Sequence, residues 1–132
     1  MSPTPHAKPV RFETTVPILR VSNMRASLEL YVNVLGFRKD WGGDPGMASV
    51  SRDRATLMLC PNAQGTQGTW VWIAVEDVER LHVEYLARGA RIILPPTNFS
   101  WALEMRVEDA DGHVLRFGSD PNKDVPYEDA RA

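Results

Sequence analysis

A chain of 132 residues, 43% hydrophobic and 24% charged, has the length of one domain and the composition of an ordinary soluble globule. Its net charge of −2 and pI near 5.9 give no electrostatic reason to expect nucleic acid, and no apolar run approaches the ~20 residues of a membrane span. The single cysteine, Cys60, excludes an intrachain disulfide and fits a reducing cytoplasm.

Met1–Lys8 carries two prolines, a histidine and nothing periodic, and residues 1–12 read as a loose N-terminal arm without the apolar stretch of a signal peptide. Val16–Val21 is the first expected strand. Asn23 can cap a helix over Met24–Leu35, in which Leu28, Tyr31, Val32 and Leu35 repeat at the spacing of one buried stripe, and Gly36 stops it. Phe37–Trp41, Met47–Arg52 and Ala55–Cys60 follow as strands separated by turn chemistry at Gly42–Gly46 and Asp53-Arg54. Cys60 ends an apolar run, where a small buried hydrophobe is a better reading than a nucleophile.

Pro61–Gly68 is polar and glycine-bearing, a linker. Beyond it the pattern starts again. Thr69–Val75 is a strand, Asp77 caps a helix that turns Leu81, Tyr85 and Leu86 inward and ends at Gly89. Arg91–Leu94, Leu103–Glu108 and His113–Phe117 are strands, with Asp109–Gly112 as a hairpin turn. Residues 122–132 read as a polar C-terminal tail.

The two halves say the same thing. Ile18–Asn23, a helix and Gly36-Phe37 are echoed by Trp72–Asp77, a helix and Gly89-Ala90; Val21 answers to Val75 and Tyr31 to Tyr85 at one common separation. Such a repeat is one supersecondary unit used twice, and units of this kind usually bury their open faces against each other. The expectation is an α+β fold of two βαβββ modules in tandem within a single domain at 13–121. Module one spans about 13–62, the linker 62–68 and module two about 69–121, with a cleft completed by homodimerisation. By strand alternation, Pro17, Leu19 and Val21 meet the first helix while Val16, Ile18 and Arg20 face away. Val71, Ile73 and Val75 meet the second helix, while Trp70, Trp72 and Ala74 face away. Two tryptophans on an open face call for something to cover it.

Val16–Phe37, Trp70–Val78 and Trp101–Phe117 resemble the vicinal oxygen chelate superfamily of glyoxalase I, extradiol dioxygenases, fosfomycin-resistance and bleomycin-resistance proteins. The likeness runs from Thr15 to about Pro121. In Trp101–Phe117 (WALEMRVEDADGHVLRF), Ala102 stands for the family's Gly and Ala110 for its Pro. Enzymes of this superfamily hold a divalent cation on the open face, and the resemblance puts those positions at Val16, Met58, Trp70 and Arg116. None has the imidazole, carboxylate or thiolate donors that such a metal needs. Of the histidines, His6 reads as solvated, His82 as a lone helix residue and His113 as a turn or packing residue. The resemblance therefore implies neither metal nor cofactor nor catalytic residue, and narrows to the bleomycin-resistance branch, where dimers sequester a cationic aromatic drug. There Phe37, Asp40 and Trp41 would stand at the cleft wall with Met47 as an apolar wall position, Trp101 and Glu104 on the opposite side, Trp70 and Trp72 on the aromatic strand, and Arg116 beside them.

The residues themselves agree in part. Flat aromatic faces stack planar rings and attract cations, and Asp40 and Glu104 can supply countercharge. Arg20 and Arg116 point the same way and argue instead for pairing with Glu104 or for an anionic ligand. Three readings follow: a non-catalytic binding protein for an aromatic drug or metabolite; a metal-dependent lyase or dioxygenase with unrecognised ligands; and a fold whose cleft is filled by its own tryptophans. Small-molecule ligand and second copy are the expected partners, with no nucleic acid or membrane.

Overall fold

A computed structural model describes residues 8–132; His6 and the start of the arm lie outside the described residues. The duplication is visible as two four-stranded sheets of identical connectivity. In module one, β1 (Ile18–Arg20), β2 (Arg38–Gly42), β3 (Ala48–Arg52) and β4 (Ala55–Cys60) lie in the order β1-β4-β3-β2. In module two, β5 (Trp70–Ala74), β6 (Arg91–Asn98), β7 (Leu103–Glu108) and β8 (Val114–Ser119) lie in the order β5-β8-β7-β6. β1 pairs with β4 and β5 with β8 in parallel, while every other pair is antiparallel. One helix crosses each sheet, as βαβββ requires: α1 (Met24–Glu29), which runs on into a π-helical turn at Leu30–Val34, and α2 (Val78–Arg88).

The helix ends follow from local chemistry. Asn23 and Asp77 each accept, through the side chain, the N–H three residues on, from Ala26 at 3.1 Å and from Arg80 at 3.1 Å. Gly36 and Gly89 both take φ of 78°, the left-handed turn that ends a helix and that a side chain disfavours. The buried stripe of α2 is Val78, Leu81 and Tyr85; Leu86 is 60% exposed, because one residue past Tyr85 the helix has turned about 100° away from the core. The expected continuous helix to Leu35 is instead widened at its end, with Leu35 N–H donating to Leu30 O at 2.9 Å.

A single core joins the modules. Leu19, Val21, Tyr31 and Leu35 of the first pack with Tyr85, Met105 and Leu115 of the second, all fully buried, and each such side chain contributes about 1.5–3 kcal/mol. The repeat-related tyrosines reach across: Tyr31 Oη donates to Asp109 Oδ2 at 2.8 Å, and Tyr85 Oη to Leu35 O at 2.7 Å. Arg52 grips Glu84 with two bonds of 2.8 and 2.9 Å. His113 is fully buried between the modules; its Nδ1 accepts from Thr69 N–H at 3.0 Å, so Nε2 carries the proton that meets Arg20 O at 2.6 Å.

Here the expectation about faces is corrected. Within one chain the modules bury their helix-bearing sides against each other, and the open sheet faces are left to solvent. The reason is the position of the apolar stripes: both helices and the inner sheet residues are apolar on the sides that meet.

The C-terminal tail lies exposed on the surface. The segment after β8 is fastened: Asn98 Nδ2 donates to Asn122 O at 2.8 Å, Asn98 Oδ1 accepts from Asn122 N–H at 2.9 Å, and Asp129 Oδ1 takes Ser100 N–H at 2.8 Å. β6 runs on to Asn98, past the expected end at Leu94. Irregular register around Leu94–Thr97 lets Pro95 and Pro96 sit in a strand without donating to the ladder.

Candidate functional site

Strand alternation sorts the open faces. On β5, Ile73 is 9% exposed beneath α2, whereas Trp70 and Trp72 are 55% and 45% exposed on the other side. The ladder puts Trp72 in one row with Arg116 and Arg106, and Trp70 in the next with Val114 and Glu108. Glu104 lies in a third row, opposite Gly118. The open face of module two thus carries two indoles, two arginines and two carboxylates on three neighbouring strands.

These groups are tightly organised. Glu104 is completely buried and takes four bonds. Trp101 Nε1 and Arg116 Nη2 donate to Oε1, each at 2.9 Å, while Arg116 Nε and Arg106 Nε donate to Oε2 at 2.8 and 2.7 Å. Burial pushes the Glu104 carboxyl up, but the bonds from Arg116, Trp101 and Arg106 outweigh it and bring its pKa to about 2. Arg116 lies over the Trp72 ring at 5.1 Å, and Arg106 sits between Trp70 and Phe99 at 5.3 and 5.6 Å from their centres. Trp101 stacks on Phe99 with centroids 4.6 Å apart and planes within 4°.

Module one presents a plainer face. A bulge after Lys39 sets Trp41 opposite Ser49, and Asp40 bonds Ser49 Oγ at 3.2 Å and Ser51 Oγ at 2.8 Å. The extra residue therefore aims acid and aromatic to the same side, which strict alternation forbids. Asp40 also accepts from Arg38 Nε at 3.1 Å, and the Ser51 bond, then Arg38, hold its carboxyl below the usual range. Trp41 is 49% exposed. Met58 joins Ile18 and Ser49 in one row, and Met47 lies at the rim, approached by Gln64 from the linker.

Of the sequence-derived residues, Trp70, Trp72, Trp101, Glu104 and Arg116 come together on module two, and Asp40, Trp41 and Met47 share module one. Phe37 does not join them: it is a core residue, 4% exposed and edge-on to Tyr31, because it precedes β2 on the inner side. Glu104 is no free countercharge, since both oxygens are already occupied. The tryptophans are not packed as core of the chain; all four are about half exposed. Arg106 and Phe99 are additional members. Arg106 was legible, two residues from Glu104 on the same strand face; Phe99 lies in the irregular stretch after β6, where no period applies.

The family's cation positions hold a hydrocarbon at Val16, a thioether at Met58, an indole at Trp70 and a guanidinium at Arg116 bound to Glu104. That donor set does not fit a divalent metal. Among the described residues, no three His, Cys, Asp or Glu side chains converge as a metal site. A groove of about 1130 Å³ lies elsewhere, between the modules along Pro17, Leu57, Ile73, Leu81 and Tyr85 with the Arg52–Glu84 pair. Of the four exposed tryptophans, only Trp72 reaches it.

A family model described as Glyoxalase/Bleomycin resistance protein/Dioxygenase superfamily matches residues 11–117. Among solved structures, the chain is similar to the bleomycin-binding protein of bleomycin-producing Streptomyces verticillus complexed with copper(II)-bleomycin. That match has 29% identity and a TM-score of 0.71, over 83% of this chain and 98% of that one. TnmS3, an antibiotic-binding protein from Streptomyces sp. CB03234, shares the fold at 19% identity and TM-score 0.74, over 87% and 100% of the two chains. TioX from Micromonospora sp. ML1 does so at 22% and 0.69, over 82% and 98%. No match is found among curated proteins.

Proposed function

We propose that this chain, which belongs to the glyoxalase/bleomycin resistance protein/dioxygenase superfamily, is a non-catalytic binding protein that sequesters a planar aromatic drug or metabolite. The observation that carries the reading is the exposure of every tryptophan. Trp41, Trp70 and Trp72 on open sheet faces, and Trp101 in the bend before β7, are 45–55% exposed in a single chain, where rigid indoles give large contact area at little entropic cost. The Glu104–Arg116–Arg106 network supports it by holding the surrounding side chains in place before a ligand arrives, which lowers the cost of binding. The bleomycin-binding protein, at 29% identity, supports the same class of ligand. Residues 13–121 form the binding domain in this reading, acting in the cytoplasm.

A second copy completes the cleft. Two open aromatic faces on one chain are supported as an interface by their apolar content, and the arm adds Val10 and Phe12, 85% and 94% exposed. An isologous pair sets the module-one face of each copy against the module-two face of the other.

Calorimetric titration with a panel of planar aromatic compounds, followed by mass spectrometry of the recovered compound, tests the proposal. Binding with the compound returned unchanged supports it; conversion of the compound, or no binding across the panel, contradicts it. Light scattering at micromolar concentration tests the dimer.

A further inference from the structure

We infer that the ligand is acidic: a planar aromatic ring system bearing a carboxylate or an equally anionic group, received by Arg106. The inference rests on the binding reading above and names the charge that reading leaves open. It comes from counting which charges on the open faces are already answered. Asp40 is bonded by Arg38 and two serines, Glu104 by Arg116 and Arg106, and Glu108 by Arg91 at 3.3 Å. Each carboxylate of the two faces has an arginine of its own. Arg20 lies on the module-one face, with its Nε spent on a backbone carbonyl, Gln64 O, at 3.0 Å. Five arginines therefore stand against three carboxylates, and the surplus is positive. Among the described residues, a cation entering over these strands finds no uncommitted strand carboxylate.

Arg106 combines spare capacity with a fixed position. Its Nε is committed to Glu104, and among the described residues its two terminal nitrogens have no hydrogen-bond partner. They are not sealed either, since among the described residues the one buried side-chain N or O atom without a partner is Asp111 Oδ2. The Arg106 side chain is only 12% exposed and its guanidinium is held between Trp70 and Phe99. A planar fork of donors, fixed in orientation and walled by aromatic rings, matches a carboxylate attached to a flat ring system: the acid meets the fork and the rings meet the indoles. Glu104 sets this up by taking Nε and leaving the outer edge of the fork open.

Three probes of one shape test it: naphthoate, naphthamide and naphthylmethylamine, titrated calorimetrically at neutral pH into the whole protein. Naphthoate is expected to bind at least about tenfold more tightly than naphthylmethylamine, with naphthamide between. Arg106→Gln should erase that preference, and Arg106→Lys, which keeps a positive partner for Glu104, should weaken it while circular dichroism shows the fold retained. Tighter binding of the amine, equal binding of all three, or a preference untouched in both variants overturns the inference and leaves aromatic binding standing. Failure of all three probes and of the broader aromatic panel removes the binding reading, and this inference with it.

Discussion

Trp72 lies across Gly118 of the neighbouring strand: a Cβ on Gly118 would run into the six-membered ring of the indole. The backbone of Gly118 is ordinary strand, so the missing side chain serves space and not conformation. It lets the indole lie down over β8, with Arg116 against its face. Gly118→Ala should therefore lift Trp72 while barely touching stability, by less than about 1 kcal/mol, because a half-exposed ring can swing into water. The check is tryptophan emission, expected to shift to the red, together with a loss of aromatic-ligand affinity of about tenfold.

The Glu104 network gives a pH dependence with a definite sign. The folded pKa of about 2 lies below the ordinary 4.5, so folding favours the carboxylate. The resulting stability is fully present above about pH 4.5 and is lost as pH falls toward 2, on the order of 3 kcal/mol in total. Urea midpoints measured from pH 7 down to 2 should decline through this window. In Glu104→Gln the decline should flatten, with the stability at pH 7 already lowered by about 3 kcal/mol, since two arginines are then left without their anion. An unchanged midpoint for the variant would show that the buried carboxylate contributes nothing.

Tyr31 and Tyr85 are the same residue in the two repeats, and each hydroxyl closes the junction from its own side. Tyr31→Phe removes a buried bond to a carboxylate and should cost about 1.5–3 kcal/mol, whereas Tyr85→Phe removes one to a carbonyl and should cost about 1 kcal/mol. Because one core serves both modules, both variants should unfold in a single transition, the same by far-UV and near-UV circular dichroism. Two separated transitions would mean that the modules fold independently.

The C-terminal segment depends on Asn98, whose amide nitrogen reaches Asn122 O at 2.8 Å and Val125 O and Pro126 O at 3.4 Å. Asn98→Ala should loosen residues 122–126, make tryptic cleavage after Lys123 at least several-fold faster, and cost about 1–3 kcal/mol through the groups left unpaired. Cleavage at an unchanged rate would show that the segment is held by other contacts.

Much of this was legible in the chain because repetition and alternation are robust signals. The matched ILRVSN and WIAVED segments give two modules, and period-two patterning correctly divides Ile73 from Trp70 and Trp72. What was hidden has physical causes. The bulge at Asp40 breaks the period and brings acid and aromatic to one side, whereas the resemblance at FRKDW carried Phe37 onto the wall although it precedes the strand and is buried in the core. Pro95-Pro96 reads as the end of a strand, yet β6 tolerates the pair by breaking register. Asn98 holding the C-terminal segment is a contact between distant positions, and no local pattern announces it. The saturation of Glu104 was also invisible, since a carboxylate two residues from an arginine reads equally well as solvated.

The central claim is that the uncovered indoles grip a planar ligand, and they offer their own readout. The protein has four tryptophans, hence four indole N–H signals in a nitrogen-15 correlation spectrum, each assignable by a single Trp→Phe substitution. Titration with naphthoate is predicted to move the Trp70, Trp72 and Trp101 signals together, saturating at one common dissociation constant. Four stationary signals at saturating naphthoate, in protein shown to be folded, would contradict the account.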